Sequence, residues 1–97
     1  MYKIVYTKLA AKDIQKIKAA GLEKKAKMLI EIIRKDPFHR PPAFEALVGD
    51  LQGYFSRRIN IQHRLIYQVF NTPIKEDDIE YSGIIKIIRL WTHYDSL

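Results

Sequence analysis

The stretch from Leu51 to Phe70 constrains the fold of this chain more than any other part. It contains two runs rich in aromatic and β-branched residues, Tyr54–Ile59 and His63–Phe70, and only residues 60–62 separate them. Runs of this composition predict two β-strands, and their close spacing predicts a hairpin. Because side chains alternate between the two faces of a strand, the length of the loop decides which residues share a face.

Two loop lengths are compatible with this spacing. A two-residue turn at Ile61–Gln62 pairs Ile59 with Arg64 and mixes charged side chains into the apolar face. A three-residue loop at Asn60–Gln62 pairs Arg58 with Arg64 and separates apolar from polar residues much better. The sequence therefore favours the three-residue loop.

The three-residue loop gives the hairpin one apolar and one polar face. Arg57 is the single charged residue on the apolar face, and Asn60 is the residue we expect to have a positive φ. The apolar face otherwise carries Phe55, Ile59, Leu65, Tyr67 and Val69, and the polar face carries Tyr54, Ser56, Arg58, Arg64 and Gln68. Two arginines side by side on an open sheet face indicate a site for an anion.

The sequence before the hairpin predicts one strand and two helices. Met1–Tyr6 alternates as a short strand does, and Thr7 is a suitable N-cap for a helix that begins near Lys8. Gly21 ends this helix, and Leu22–Lys35 repeats apolar residues with the period of a buried helix face. We expect the two helices to form a hairpin on one face of the sheet.

The remaining segments complete an α+β layer. A proline-interrupted connector, Phe38–Gly49, precedes the hairpin, and a polar connection, Asn71–Gly83, follows it. The apolar run Ile84–Leu90 is typical of a central strand buried on both faces. The predicted order is an N-terminal strand, a helical hairpin and then an antiparallel sheet with the helices on one face.

Composition limits the functions that need to be considered. The 97 residues predict one domain, residues 1–97, with 47% hydrophobic residues and a net charge of +6, which suits a polyanionic partner. No apolar run is long enough to span a membrane, and the N-terminus lacks the apolar segment of a signal peptide. The absence of cysteine and the wide spacing of the three histidines argue against a metal site, and we expect no cofactor. The simplest expectation is a cytoplasmic protein.

The hairpin motif resembles one in a known family. The residues concerned are Leu51, Gly53, Tyr54, Ser56, Arg57, Arg58, Ile59, His63, Arg64, Leu65 and Tyr67, together with Pro42, Glu45 and Leu47 upstream and His93 and Tyr94 near the C-terminus. In this order they are similar to the core of the YoeB (Txe) toxins, which belong to the RelE-like toxin–antitoxin ribonucleases of bacteria. The resemblance covers the whole chain and implies the small RelE-like, microbial-RNase-like fold.

The resemblance also implies an activity and a set of partners. Such toxins bind the ribosomal A site and cut mRNA there, and a cognate acidic antitoxin protein neutralises them. Operator DNA is a further partner, reached through the antitoxin complex. The family's catalytic positions fall on Glu45, Arg64 and His93, and RNA contacts are expected at Arg58, Tyr94, Arg57 and Tyr54.

The chemistry of RNA cleavage needs the same residue types. When the 2′-hydroxyl attacks the adjacent phosphorus, a base takes its proton, a cation stabilises the phosphorane and an acid protonates the departing 5′-oxygen. Glu45, Arg64 with Arg58, and His93 can fill these roles in turn. Without the motif, each has a plainer interpretation: a solvated loop carboxylate, arginines paired with acidic side chains, and a structural C-terminal histidine.

Three departures from the family pattern leave other functions open. Val48 stands where a lysine is usual, the connection Asn71–Gly83 is longer, and three extra residues follow Tyr94. One alternative is a non-catalytic module of the ParE-like branch, which poisons gyrase. Another is a passive protein that binds nucleic acid or antitoxin and has lost catalysis.

Overall fold

The secondary structure follows the predicted order of strand, two helices and a run of strands. The structure, a computed structural model, describes residues 1–92, the last of them through its backbone only. Strand β1 (Tyr2–Tyr6) is followed by helices α1 (Lys8–Ala19) and α2 (Glu23–Lys35). The later strands are β2 (Glu45–Ala46), β3 (Tyr54–Arg58), β4 (Arg64–Phe70), β5 (Ile74–Glu76), β6 (Ile79–Tyr81) and β7 (Gly83–Thr92), with a 3-10 turn at Gly49–Leu51. The predicted α+β class is confirmed.

The two helices begin and end as their sequences predict. The Thr7 side chain caps α1 by accepting a hydrogen bond of 3.0 Å from the backbone N–H of Ala10. Gly21, at φ 73°, allows the chain to reverse between the helices. Within residues 1–92, neither helix is long and apolar enough to cross a membrane.

One apolar core lies between the helices and the sheet. Both helices contribute to it, as do the three central strands of the sheet. Its buried members are Ala10, Ile17, Ala26, Leu29, Ile33, Ile59, Leu65, Tyr67, Ile85, Ile87 and Leu90. Burial of this set stabilises the layer, at about 25 cal/mol for each Å² of apolar surface removed from water.

The large sheet is mixed and not wholly antiparallel. Its strand order is β1-β7-β4-β3-β2, and β1 pairs with β7 in parallel. The other three pairs are antiparallel. A parallel neighbour requires a long connection, and the helices and strands between β1 and β7 provide it. The expectation of an antiparallel sheet is therefore wrong for its first strand, and β7 is a central strand as predicted.

The hairpin β3–β4 has the three-residue loop. Arg58 lies opposite Arg64, and the N–H of Ile59 donates to the carbonyl of His63 at 2.9 Å. The positive φ expected at Asn60 is wrong, since among described residues other than glycine only Asp77 and Asp78 have positive φ. The Asn60 side chain closes the loop instead, because its Oδ1 accepts from the N–H groups of residues 62 and 63 at 2.9 and 2.7 Å.

The polar connection after β4 contains a second, small hairpin, β5–β6, which the sequence did not predict. Asp77 and Asp78, at φ 52° and 64°, form its two-residue turn, as a type I′ turn requires. An ion pair of 2.6 Å between Lys3 and Glu76 joins this hairpin to β1. The segment is therefore folded against the start of the chain.

Candidate active site

A cavity of about 660 Å³ lies beside the edge of the sheet that ends in β2. Helix α2, the proline-containing connector and the β3–β4 hairpin all contribute to its wall. The lining residues are Lys25, Met28, Leu29, Ile32, Pro41, Pro42, Ala43, Phe44, Glu45, Ser56, Arg58 and Arg64. The cavity thus brings together Glu45, Arg58 and Arg64, three of the residues that the sequence singled out.

Arg58 and Arg64 supply two of the positive charges of the cavity, and Lys25 supplies another. The two arginines are directly opposite each other in the antiparallel pair β3–β4, so their Cβ atoms are about 5 Å apart. Arg58 is exposed and Arg64 is half-buried. Two arginines directly opposite each other favour a bound anion, and a phosphate can accept hydrogen bonds from both guanidinium forks.

Glu45 contributes the carboxylate. It lies in the two-residue edge strand β2, opposite Ser56 of β3, and it is exposed to solvent. The side-chain oxygen of Ser56 is buried in the cavity wall and has no hydrogen-bond partner among the residues that the structure describes. A carboxylate and two guanidinium groups at one cavity can accept a proton and stabilise a developing negative charge.

Strand β7 ends next to this charged group. Its last residue, Thr92, pairs with Arg64 across β4 and β7. The proposed acid His93 and the proposed RNA contact Tyr94 follow directly in sequence, and both lie outside the described residues. Tyr54, the other aromatic residue expected to contact RNA, is half-buried in β3 and does not line the cavity.

Arg57 is not an RNA contact, because its side chain is completely buried. Its guanidinium donates to the carbonyl oxygens of Pro42, His39 and Pro37 at 2.7, 2.8 and 3.1 Å, and to the Tyr67 hydroxyl at 3.1 Å. The expected role of Arg57 in binding RNA is therefore corrected to a structural one. The signal was present in the sequence, since the three-residue loop places Arg57 on the apolar face.

The Arg57 network fixes the connector that leads to Glu45. Tyr67 belongs to the same network, because its hydroxyl donates to the Pro37 carbonyl at 2.8 Å. Burial raises the pKa of Tyr67, although the hydrogen bond from Arg57 opposes this change. The rings of Phe38 and Phe55 pack edge to face with 5.1 Å between their centroids, and the Arg40 guanidinium lies 4.0 Å from the Phe44 centroid. These contacts hold the connector against the sheet. Because the connector leads directly to β2, they also restrict the position of Glu45.

Sequence reasoning missed the contribution of α2 to the cavity. Lys25 is an exposed residue of α2, and it lines the cavity together with the half-exposed Met28. The helical period alone contains no signal for this role, because these residues lie beside the buried stripe of α2 and not within it.

Comparison with known proteins agrees on one family. The family model described as "YoeB-like toxin of bacterial type II toxin-antitoxin system" matches residues 6–94. A curated relative named Toxin YoeB, from a Synechocystis species, is 46% identical over 48 residues, which are 50% of this chain and 56% of that protein. The chain thus matches about half the length of this curated relative.

Solved structures extend the similarity over almost the whole chain. A structure named YoeB/ParE toxin, from Agrobacterium tumefaciens, has a TM-score of 0.78 and 29% identity, and the match covers 95% of this chain and 99% of that one. A chain in the heterotetrameric complex of YoeB-YefM toxin-antitoxin from Staphylococcus aureus has a TM-score of 0.70 and 28% identity, and the match covers 97% of this chain and 99% of that one. These matches support the same α+β fold.

Proposed function

The chain belongs to the YoeB-like toxins of bacterial type II toxin–antitoxin systems, and from this premise we propose that it is a ribosome-dependent mRNA endoribonuclease. In this proposal residues 1–97 form a single toxin domain that binds the ribosomal A site in the bacterial cytoplasm. It cuts the mRNA there and so blocks translation.

The proposed reaction is cleavage by the RNA's own 2′-hydroxyl. Glu45 takes the proton of that hydroxyl while its oxygen attacks the adjacent phosphorus. Arg64, with Arg58, stabilises the extra negative charge on the phosphorane. His93 gives a proton to the departing 5′-oxygen, so that one strand ends in a 2′,3′-cyclic phosphate and the other in a 5′-hydroxyl. Tyr94 and Tyr54 are proposed to stack on bases, with about 1–3 kcal/mol for each stacked base.

The observation that carries the proposal is the shared cavity of Glu45, Arg58 and Arg64. Glu45 in β2, Arg58 in β3 and Arg64 in β4 come from three different strands and line the same cavity. The backbone pairing of Thr92 with Arg64 supports the role of His93, because His93 directly follows Thr92 in sequence.

The test is mRNA cleavage by the purified chain with and without ribosomes. We expect cleavage only with ribosomes, and a loss of about 10²-fold or more in Glu45→Gln and Arg64→Met. Glu31→Gln is the matched control, since Glu31 is an exposed α2 carboxylate that pairs with Arg34 and does not line the cavity. Full cleavage by Glu45→Gln would remove Glu45 from the mechanism, and no cleavage by the unaltered chain would refute the activity.

The proposed protein partner is an acidic antitoxin. A solved complex named YoeB-YefM toxin-antitoxin contains a relative of this chain, and a net charge of +6 favours an acidic protein. We propose that the antitoxin covers the arginine-containing face and that the complex carries the toxin to operator DNA. An association rate that does not change with ionic strength would contradict the electrostatic part of this proposal.

A second candidate is a non-catalytic interaction module. Val48 favours it, because this residue is 82% exposed close to Glu45 at a position where a lysine would add positive charge. Under this alternative, inhibition of translation or of gyrase would persist in Glu45→Gln. Under the endoribonuclease proposal, inhibition and mRNA cleavage are lost together.

A further inference from the structure

The carboxylate of Asp13 in α1 binds the C-terminal part of β7. Its Oδ2 accepts hydrogen bonds from the backbone N–H groups of Leu90 at 3.0 Å and Trp91 at 3.2 Å. The Arg89 guanidinium donates to both carboxylate oxygens, from Nε at 2.8 Å and from a terminal nitrogen at 3.2 Å. One side chain therefore joins three consecutive residues near the end of the strand to the helix.

Asp13 binds β7 beyond the point at which β1 stops pairing with it. Strand β1 ends at Tyr6, opposite Ile87, so the edge of β7 beyond Ile87 has no β1 residue to pair with. Helix α1 covers this edge instead: the Thr7 hydroxyl donates to the Ile88 carbonyl at 2.8 Å, and Asp13 accepts the next two amides. The side chain of the N-cap Thr7 and that of Asp13 in α1 thus bind backbone groups of β7 where β1 no longer does.

The register of β7 against β4 shifts in the same place. Tyr67 pairs with Ile87 and Ile66 with Arg89, which leaves Ile88 as an extra residue, and a second shift lies between Arg89 and Thr92. Bulges of this kind bend a strand and redirect the residues that follow, and they are frequent beside active sites. At Leu90 and Trp91 two successive N–H groups meet the same oxygen, so the carboxylate fixes the bulged conformation.

The Asp13 carboxylate is a buried charge that accepts hydrogen bonds from Arg89, Leu90 and Trp91. Its residue is 2% exposed, and the Arg89 side chain is 18% exposed. Burial alone would raise the pKa of Asp13, but the hydrogen bonds from Arg89 and from the Leu90 amide lower it below the ordinary value. The bound form is therefore the carboxylate, which can accept all of these donors at once.

We propose that Asp13, together with Arg89, is a positioning residue for RNA cleavage that acts through His93, because it fixes the backbone of β7 up to Trp91, two residues before His93 in sequence. The inference rests on the proposed function. Thr92 is the residue between the Asp13-bound segment and His93, and it lies opposite Arg64. A displacement of about 1 Å in a catalytic group can reduce a rate by about 10²-fold, so the fixed bulge bears directly on the acid step.

The test is a double-mutant cycle between Asp13→Asn and His93→Gln. Cleavage is measured with ribosomes well below the melting temperature of each variant. We expect Asp13→Asn alone to lower kcat by about ten- to a hundred-fold with KM unchanged, and to change the rate by less than about twofold in the His93→Gln background. Ile17→Val is the matched control, since Ile17 is buried one turn further along the same face of α1. Its effect should be small and the same in both backgrounds.

A spectroscopic measurement separates positioning from loss of stability. In Asp13→Asn the imidazole NMR signals of His93 should shift, while those of the exposed His39 in the connector stay in place. If Asp13→Asn does not fold, Arg89→Lys takes its place in the cycle, because it keeps the charge and loses the two parallel hydrogen bonds.

The possible results test the positioning role, the proposed acid and the proposed function separately. Equal losses from Asp13→Asn in both backgrounds, or an unchanged rate in the folded variant, would overturn the positioning role. An unchanged rate in His93→Gln would instead refute the proposed acid, and an inactive unaltered chain would refute the proposed function.

Discussion

Substituting Arg57 should destabilise the fold far more than substituting its neighbour Arg58. The two residues are adjacent in β3, and one is completely buried while the other is exposed beside the cavity. Methionine is the replacement of choice at both positions, because it keeps an unbranched side chain of similar length and removes the charge. The two variants therefore carry the same substitution on opposite faces of the same strand.

The expected magnitude follows from the four hydrogen bonds of Arg57. At about 1.5–3 kcal/mol for each bond to a charged group, they sum to roughly 6–12 kcal/mol. The methionine variant no longer has to bury a guanidinium, which offsets several kcal/mol of this loss. A net loss of about 3–5 kcal/mol remains, as is usual when a buried charged network is broken. For a domain of this size, that lowers Tm by at least about 12 °C.

Thermal and urea unfolding, followed by circular dichroism, provide the assay. Arg58→Met should stay within about 0.5 kcal/mol of the unaltered chain and lose ribosome-dependent cleavage, since Arg58 lines the proposed site. Arg57→Lys should recover part of the loss, because an ammonium keeps the charge without the planar fork. If Arg57→Met and Arg58→Met melt at the same temperature, the conclusion that the hydrogen bonds of Arg57 stabilise the connector is refuted.

Three other changes test separate parts of the structure. A chain ending at Thr92 should melt cooperatively and lose at least about 10²-fold in cleavage, because it lacks the proposed acid His93. Gly83→Ala should lose about 1–3 kcal/mol in urea unfolding, since an added Cβ would lie 2.0 Å from the backbone oxygen of Phe70. The lowered pKa of Asp13 stabilises the fold above its ordinary value of 3.8 and stops doing so as pH falls. Unfolding between about pH 5 and pH 2 should therefore depend less on pH in Asp13→Asn.

Each of these three changes has a result that would contradict the prediction. An unfolded truncated chain would mean that residues after 92 are needed for the core. Unchanged stability in Gly83→Ala would mean that β4 and β7 can separate locally at little cost. Parallel pH profiles for Asp13→Asn and the unaltered chain would mean that the ion pair with Arg89 contributes nothing to stability.

Sequence patterns predicted the local structure well where one physical rule was enough. Thr7 and Gly21 located α1, and the period of the apolar residues located α2. The requirement to separate charge from core selected the loop of the β3–β4 hairpin. The same hairpin placed Arg58 opposite Arg64, which is the centre of the candidate site. Each of these results depends on residues close together in the chain.

Contacts between distant segments could not be predicted in the same way. Arg57 stood out as a charge on an apolar face, but its partners are carbonyl groups 15 to 20 residues earlier, which no side-chain pattern marks. Asp13 lies on the buried stripe of α1 between Ala10 and Ile17, and its partner Arg89 is 76 residues away. The β5–β6 hairpin turns at Asp77–Asp78 and not at the usual Asn-Gly, and contact with β1 supports it.

The position of β7 in the sheet also determines when the protein can fold during its own synthesis. Strand β7 lies between β1 and β4, yet it is translated after both of them. Until it emerges from the ribosome, β1 has no partner in the sheet, and the helices lack a central strand that they pack against. The pairing of β1 with β7 joins segments more than 80 residues apart, and contacts of such long sequence separation slow folding. The sheet of the nascent chain therefore stays incomplete at its centre until β7 has left the ribosome.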